Sequence, residues 1–255
     1  MMKSSKPGKQ GITPKEFARQ GIRRIRENKC PVHAEAVQHY FKETVKAYGL
    51  RMPDLRKLER ALFRLTERTW TKEEALELCE ILLPKKYLEE KALALITLRR
   101  FEKQLGVEFV RTAEGWLARN YCDSWAIVDA LCPSILGTVI DNHPPVIPKV
   151  LRWTRSRNRW LRRASAVSFV NLARSGRHLD AAYDVALRLL HDKKDDLVHK
   201  ANGWMLRGAG DADPRRLERF LLKYGPSIPR TTLRYAIEHF PEKKRKGILT
   251  RTSLG

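Results

Sequence analysis

The chain has too few cysteines, and has them too scattered, for a disulfide framework or a zinc site. Cys30, Cys79, Cys122 and Cys132 form no CxxC pair and stand at no metal-ligand spacing from a histidine. A reducing interior suits such a chain. No run approaches the roughly 20 apolar residues of a membrane span, and the basic segment Met1 to Gly11 is followed by no apolar signal region. A cytosolic protein without a membrane role is expected. Acidic residues are scarce beside basic ones: 29 Asp+Glu against 51 Lys+Arg leave a formal charge of +22. A polyanion relieves such self-repulsion, so nucleic acid is the obvious partner, with a solubilising surface or attraction to a lipid surface as the alternatives. Arginine is dense between Arg152 and Arg163, RWTRSRNRWLRR, and guanidinium forks match phosphate oxygens better than ammonium groups do.

The sequence also lacks a glycine-rich phosphate loop and any sustained alternation of apolar and polar residues. Amphipathic stretches broken by Pro, Gly, Asp or Asn take their place, which is an all-helix pattern. Thr13-Pro14 opens a helix, Pro31 and Pro53 open two more, and Thr71-Lys72-Glu73-Glu74 is a capping-type start. Pro84 precedes a helix around Lys91 to Phe101, and Asp123 or Ser124 caps one running through Leu136. Pro144, Asn158, Asp180, Asp195 and Pro214 mark further entries, and Gly137, Gly176 and Gly210 are expected stops. With 42% hydrophobic residues in 255 positions the chain can bury a continuous core. Short helices without a long linker suit either a globular bundle or a stack of helical pairs, and spacing favours the stack. Asp129 and Arg163 are 34 positions apart and Arg163 and Trp204 are 41 apart, about one helical pair each.

Chemistry, if present, centres on Cys122 to Asp129. Trp125 and Asp129 share one face of a helix, and an aromatic surface beside a carboxylate suits a cationic ligand. The bland reading is a packed tryptophan and a solvated aspartate. Two later segments supply complementary groups: Trp160-Leu161-Arg162-Arg163-Ala164, and His199 to Arg207, which sets Lys200 and Trp204 on one face. Local explanations exist for these too: Arg162 in solvent, Trp160 packed, and Gly203 permitting close helix contact.

At these residues the sequence resembles the DNA alkylation repair proteins of the AlkD type. The resemblance covers most of the chain, through YGLRMPDLR from Tyr48, SWAIVD from Ser124, WLRRA from Trp160, KANGWMLR from Lys200 and RYAIEHFP from Arg234. It implies HEAT-like helical repeats stacked into a curved solenoid with a basic concave face. It implies excision of purines alkylated at N3 or N7, with Asp129 as the catalytic carboxylate. Trp125 and Trp204 would pack against deoxyribose and backbone, and Arg163 would hold a phosphate near the lesion. Arg162 and Lys200 are expected to add DNA contacts. Active members of the family commonly carry a second aromatic before the tryptophan of the W-x-x-x-D element, where this chain has Ser124, and some relatives bind unusual DNA structures without excising bases.

The chemistry agrees with that implication. An N3- or N7-alkylated purine is already cationic and leaves readily. The charge that develops lies on the sugar, where a carboxylate can stabilise the oxocarbenium-like C1′ or activate water. No metal or organic cofactor is implied. A glycosylase acting on duplex DNA is therefore expected, as a cytoplasmic, nucleoid-associated monomer. A non-catalytic binder of damaged or branched DNA is the first rival, and a helical scaffold for protein partners is the second. Residues 1–12 are expected as a flexible basic tail, 13–241 as a single α-helical repeat domain, and 242–255 as a basic C-terminal tail.

Overall fold

The computed structural model describes residues 11–253 except Arg68, His191, Lys193 and Lys194; the expected N-terminal tail lies outside them save for Gly11 and Ile12. Among the described residues the only β pairing is one isolated bridge, Lys46 with Tyr87, and the rest of the regular structure is helical. No described helix is long and apolar enough to cross a membrane, and among the described residues no group of three or more His, Cys, Asp or Glu is arranged to hold a metal ion. Where a single repeat domain over 13–241 was expected, the chain divides into two compact units, one within Met1–Gln104 and one within Leu105–Gly255.

The first unit holds α1 (Pro14–Glu27), α2 (Pro31–Gln38), α3 (Met52–Phe63), α4 (Lys72–Leu82) and α5 (Leu88–Leu98). Local chemistry sets the starts of α1 and α4. Thr13 and Thr71 each form a full capping box with the glutamate three residues on. The unit closes around α5, which is buried almost all round by Phe17, Leu55, Leu62, Leu78 and their neighbours. Glu89, 5% exposed on α5, accepts the backbone N–H groups of Tyr48, Gly49 and Leu50 at 2.9, 2.7 and 3.1 Å, so a buried carboxylate is satisfied by a loop of otherwise orphaned donors.

The second unit runs through α6 (Phe109–Ala118), α7 (Trp125–Leu131), α8 (Gly137–Asn142), α9 (Ile147–Arg152), α10 (Arg159–Val167), α11 (Val170–Arg174), α12 (Leu179–Leu189), α13 (Asp196–Ala212), α14 (Pro214–Tyr224), α15 (Arg230–Ala236) and α16 (Glu242–Arg251). Polar contacts tie its helices into two rows. One row is α7, α10, α13 and α15, joined by Asp129 with Arg163 (34 residues apart), Arg163 with Leu197 (34) and Asp196 with Thr231 (35). The other is α9, α12, α14 and α16: α9 packs on α12, Asp180 pairs with Arg216 and the Tyr183 ring packs at a tilt against Phe220 between α12 and α14, and Glu218 pairs with Lys244 between α14 and α16. A near-constant separation of bonded residues is the register of helical repeats, kept here by contacts rather than by sequence identity.

Several expectations change in this unit. Gly137 does not stop its helix. The chain widens into a π-helical turn over Cys132–Leu136, where Pro133 has no N–H to give, and continues into α8 with Gly137 in helical conformation. A Cβ on Gly137 would stand 3.1 Å from the Ser168 carbonyl oxygen, and one on Gly210 would stand 2.3 Å from Leu217 Cδ2. Both glycines therefore admit a neighbouring segment, whereas Gly176, at φ +73°, does end α11. Residues 242–251, expected as tail, form α16, which buries Ile248.

Candidate functional site

Asp129 reaches its surroundings from α7, which begins immediately after Ser124. Arg163 comes from the middle of α10, whose first turn is set by Asn158: its side chain accepts the Trp160 N–H at 2.8 Å. Trp160, Leu161, Ala164 and Val167 hold α10 in the core, so the Arg163 guanidinium is buried with them. It donates from Nε to Asp129 Oδ1 at 3.0 Å and from Nη2 to Oδ2 at 2.7 Å, a bidentate pair, and from Nη1 to the Leu197 carbonyl oxygen of α13 at 2.5 Å.

The two partners are not equally buried. The Arg163 side chain is 6% exposed and that of Asp129 18%, so the carboxylate is the outward end of the pair and the guanidinium lies behind it. Burial pushes the Asp129 carboxyl above its ordinary value, while the charge and hydrogen bonds of Arg163 pull it down without cancelling that rise. The arrangement is a fixed dipole with its negative end toward solvent. It can stabilise a cation outside it at little reorganisation cost. It also changes the reading of Arg163. A guanidinium with all three nitrogens engaged in the interior reaches a phosphate only by breaking a buried pair, so the geometry favours Arg163 as the group that positions Asp129.

Trp125 stands one helical turn before Asp129 on α7 and is half-buried. Lys200 and Trp204 lie one and two turns beyond Leu197 on α13. That helix leaves open one stripe of half-buried or exposed residues, Asp196, Leu197, Lys200, Trp204, Arg207 and Asp211; of its other residues only His199 and the terminal Ala212 are not buried. Lys200 is paired with Asp196 at 3.0 Å on the same helix, each side chain 35% exposed; an exchange of that partner for a phosphate is inexpensive. Ser124 sits at the N-cap position without capping, and its buried hydroxyl has no hydrogen-bond partner among the described residues.

Arg162 does not stand where a DNA contact was expected. Its Nε donates to Asp192 Oδ2 at 2.6 Å, its Nη2 to Asp195 Oδ2 at 3.3 Å, and its Nη1 to the carbonyls of Ser156 and Arg157 at 2.9 and 3.0 Å. Asp195 is at the same time the N-cap of α13 and a partner of Arg159. Arg162 therefore clamps the entries of α10 and α13 together, and the reason is local: two carboxylates outcompete solvent for a side chain one position from the core. Arg162→Ala is expected to cost about 1 to 3 kcal/mol of stability, read as a lowered denaturation midpoint, with DNA affinity measured well below the melting transition changed little. A large affinity loss at unchanged stability would return Arg162 to the surface. Sequence reasoning marked Asp195 only as a helix entry and missed Asp192 and the Leu197 carbonyl. Two aspartates three apart ahead of an apolar run were the legible signal for the first; a backbone carbonyl leaves none.

A family model described as DNA alkylation repair enzyme matches residues 22–240. The fold is similar to a solved structure of a predicted DNA alkylation repair enzyme from Enterococcus faecalis, with a TM-score of 0.71 at 19% identity, covering 84% of this chain and 97% of that one. No curated protein matches.

Proposed function

The chain belongs to the DNA alkylation repair enzyme family, and from that premise we propose that it is a DNA glycosylase that hydrolyses the N-glycosidic bond of cationic N3- or N7-alkylated purines in duplex DNA. The observation that carries this reading is the orientation of the Asp129–Arg163 pair, carboxylate outward and guanidinium behind. An alkylated purine needs little protonation to leave. What the protein must supply is stabilisation of positive charge at C1′ as the bond lengthens, and a preorganised carboxylate does this or orients the attacking water. Trp125 and Trp204 would pack against deoxyribose and backbone with their ring faces toward the cation, and Lys200 would bind a phosphate once released from Asp196. Arg163 holds Asp129 in place from behind.

One feature favours a second reading, a non-catalytic binder of damaged or branched DNA: both oxygens of Asp129 are occupied by Arg163, which lowers the field the carboxylate can exert. Incubation with methylated duplex, followed by detection of free modified purines, separates the two. Release of N3- or N7-methylpurine above the spontaneous rate is the expected result. Tight binding of the duplex with no release makes the protein a binder.

A further inference from the structure

The stripe that α13 leaves open does not end at that helix. α15 lies along α13 for its whole length. Thr231 Oγ1 is 3.3 Å from Asp196 Oδ1, Thr232 Oγ1 donates to the His199 carbonyl at 3.0 Å, and Glu238, in the turn after α15, pairs with Arg207. Midway, a Cβ on Gly203 would meet Tyr235 Cβ at 2.5 Å and the Thr232 carbonyl oxygen at 2.7 Å, so the glycine beside Trp204 is what lets the two helices come this close. Thr231, Tyr235 and Glu238 are thus the face that α15 turns to α13, and their spacing places Arg234 within the same stripe.

Arg234 is exposed and has no hydrogen-bonding or ionic partner among the described residues. The reason is visible in its neighbours. The one carboxylate within a turn of it, Glu238, is held by Arg207 from across the helix pair. Asp196, at the near end of the stripe, is engaged by Lys200 and Thr231. The basic residues of this region are otherwise committed: Arg159, Arg162 and Arg163 to carboxylates, Arg207 to Glu238, and Arg230 in reach of Thr252. Arg234 is left as an uncommitted guanidinium fork on the stripe that carries Lys200 and Trp204.

We propose that Arg234 is a phosphodiester-binding residue that extends the DNA contact of α13 onto α15. The inference rests on reading the chain as a duplex-DNA binder, but not on base release. A guanidinium with free N–H donors on an exposed stripe binds phosphate oxygens in bidentate fashion at no cost in broken protein contacts. Each phosphate neutralised on a duplex contributes about 0.9 to the slope of log affinity against log salt.

The test is the salt dependence of binding to undamaged duplex and to duplex with an abasic analogue, for the wild type, Arg234→Gln, Arg234→Lys and, as a control from the other row, Arg215→Gln on α14, an exposed residue. Arg234→Gln is expected to lower the slope by about 0.9 and to weaken both duplexes by a common factor on the order of tenfold. Arg234→Lys keeps the slope, and Arg215→Gln changes neither quantity. An unchanged slope in Arg234→Gln, or a wild type that does not bind duplex, overturns the proposal. Failure of the glycosylase reading is distinct: the wild type then binds with the expected slope and never releases an alkylpurine.

Discussion

Asp129→Asn is expected to suppress base release by about 10² to 10³, corresponding to about 2.7 to 4 kcal/mol of transition-state stabilisation, and to lower the melting temperature as well. The first effect follows from losing the negative charge while keeping the size of the side chain. The second follows from the partner. Asn cannot accept two charge-assisted bonds from Arg163, and a guanidinium 6% exposed is left without its counter-charge. Removing one member of a buried pair typically costs about 3 to 5 kcal/mol; the solvent-facing edge of Asp129 puts this case at the lower end, roughly 5 to 10 °C for a unit of this size. The double variant Asp129→Leu/Arg163→Met separates the effects, because replacing both charges by apolar groups restores stability without restoring base release. Release by Asp129→Asn at the wild-type rate, below its melting transition, would remove Asp129 from the chemistry.

What could be read ahead of the structure follows the range of the interaction that decides it. Thr13, Thr71, Asn158 and Asp195 were legible as helix starts because a cap needs only the next three residues. Gly137 and Gly210 are not stops, because what they provide is clearance, Gly137 for the Ser168 backbone far along the chain and Gly210 for Leu217 on the following helix, and neither packing contact is written in the residues beside the glycine. The 34-residue interval between Asp129 and Arg163 pointed to a shared face, and the two do meet, but the interval says nothing about which of them faces outward. That ordering decides whether the arginine meets DNA or holds the carboxylate, and it depends on how deeply α10 sits between α7 and α13. Arg162 and Arg163 are adjacent in sequence and equally basic, yet one clamps two loops and the other backs a carboxylate. Charge density told of a polyanion partner; it could not tell which charges had already been spent inside the protein.

The acid limb of base release is expected to lie above the ordinary aspartate range and to move further up when Arg163 is removed. In the proposed mechanism release needs Asp129 ionised. Burial raises its carboxyl, and Arg163 opposes the rise by its charge and its two hydrogen bonds. In Arg163→Met the burial remains and the opposition goes, so the single-turnover rate, corrected for spontaneous depurination, should begin to fall at a higher pH than in the wild type. Arg163→Lys, which keeps a charge but loses the fork, should fall between the two. Unfolding does not mimic this result. A carboxyl whose pKa is raised on folding binds more protons folded than unfolded, so its contribution to stability falls as pH rises through the interval between the two values and is not lost on acidification. The capping carboxylates Glu16, Glu73 and Glu74 are held below the usual range by hydrogen bonds to Thr13 and Thr71. What they add is lost only as pH falls through those lower values, beneath the limb assigned to Asp129. A limb that stays in place in Arg163→Met, with the protein shown to be folded across the range, would mean that Arg163 does not set the charge of Asp129.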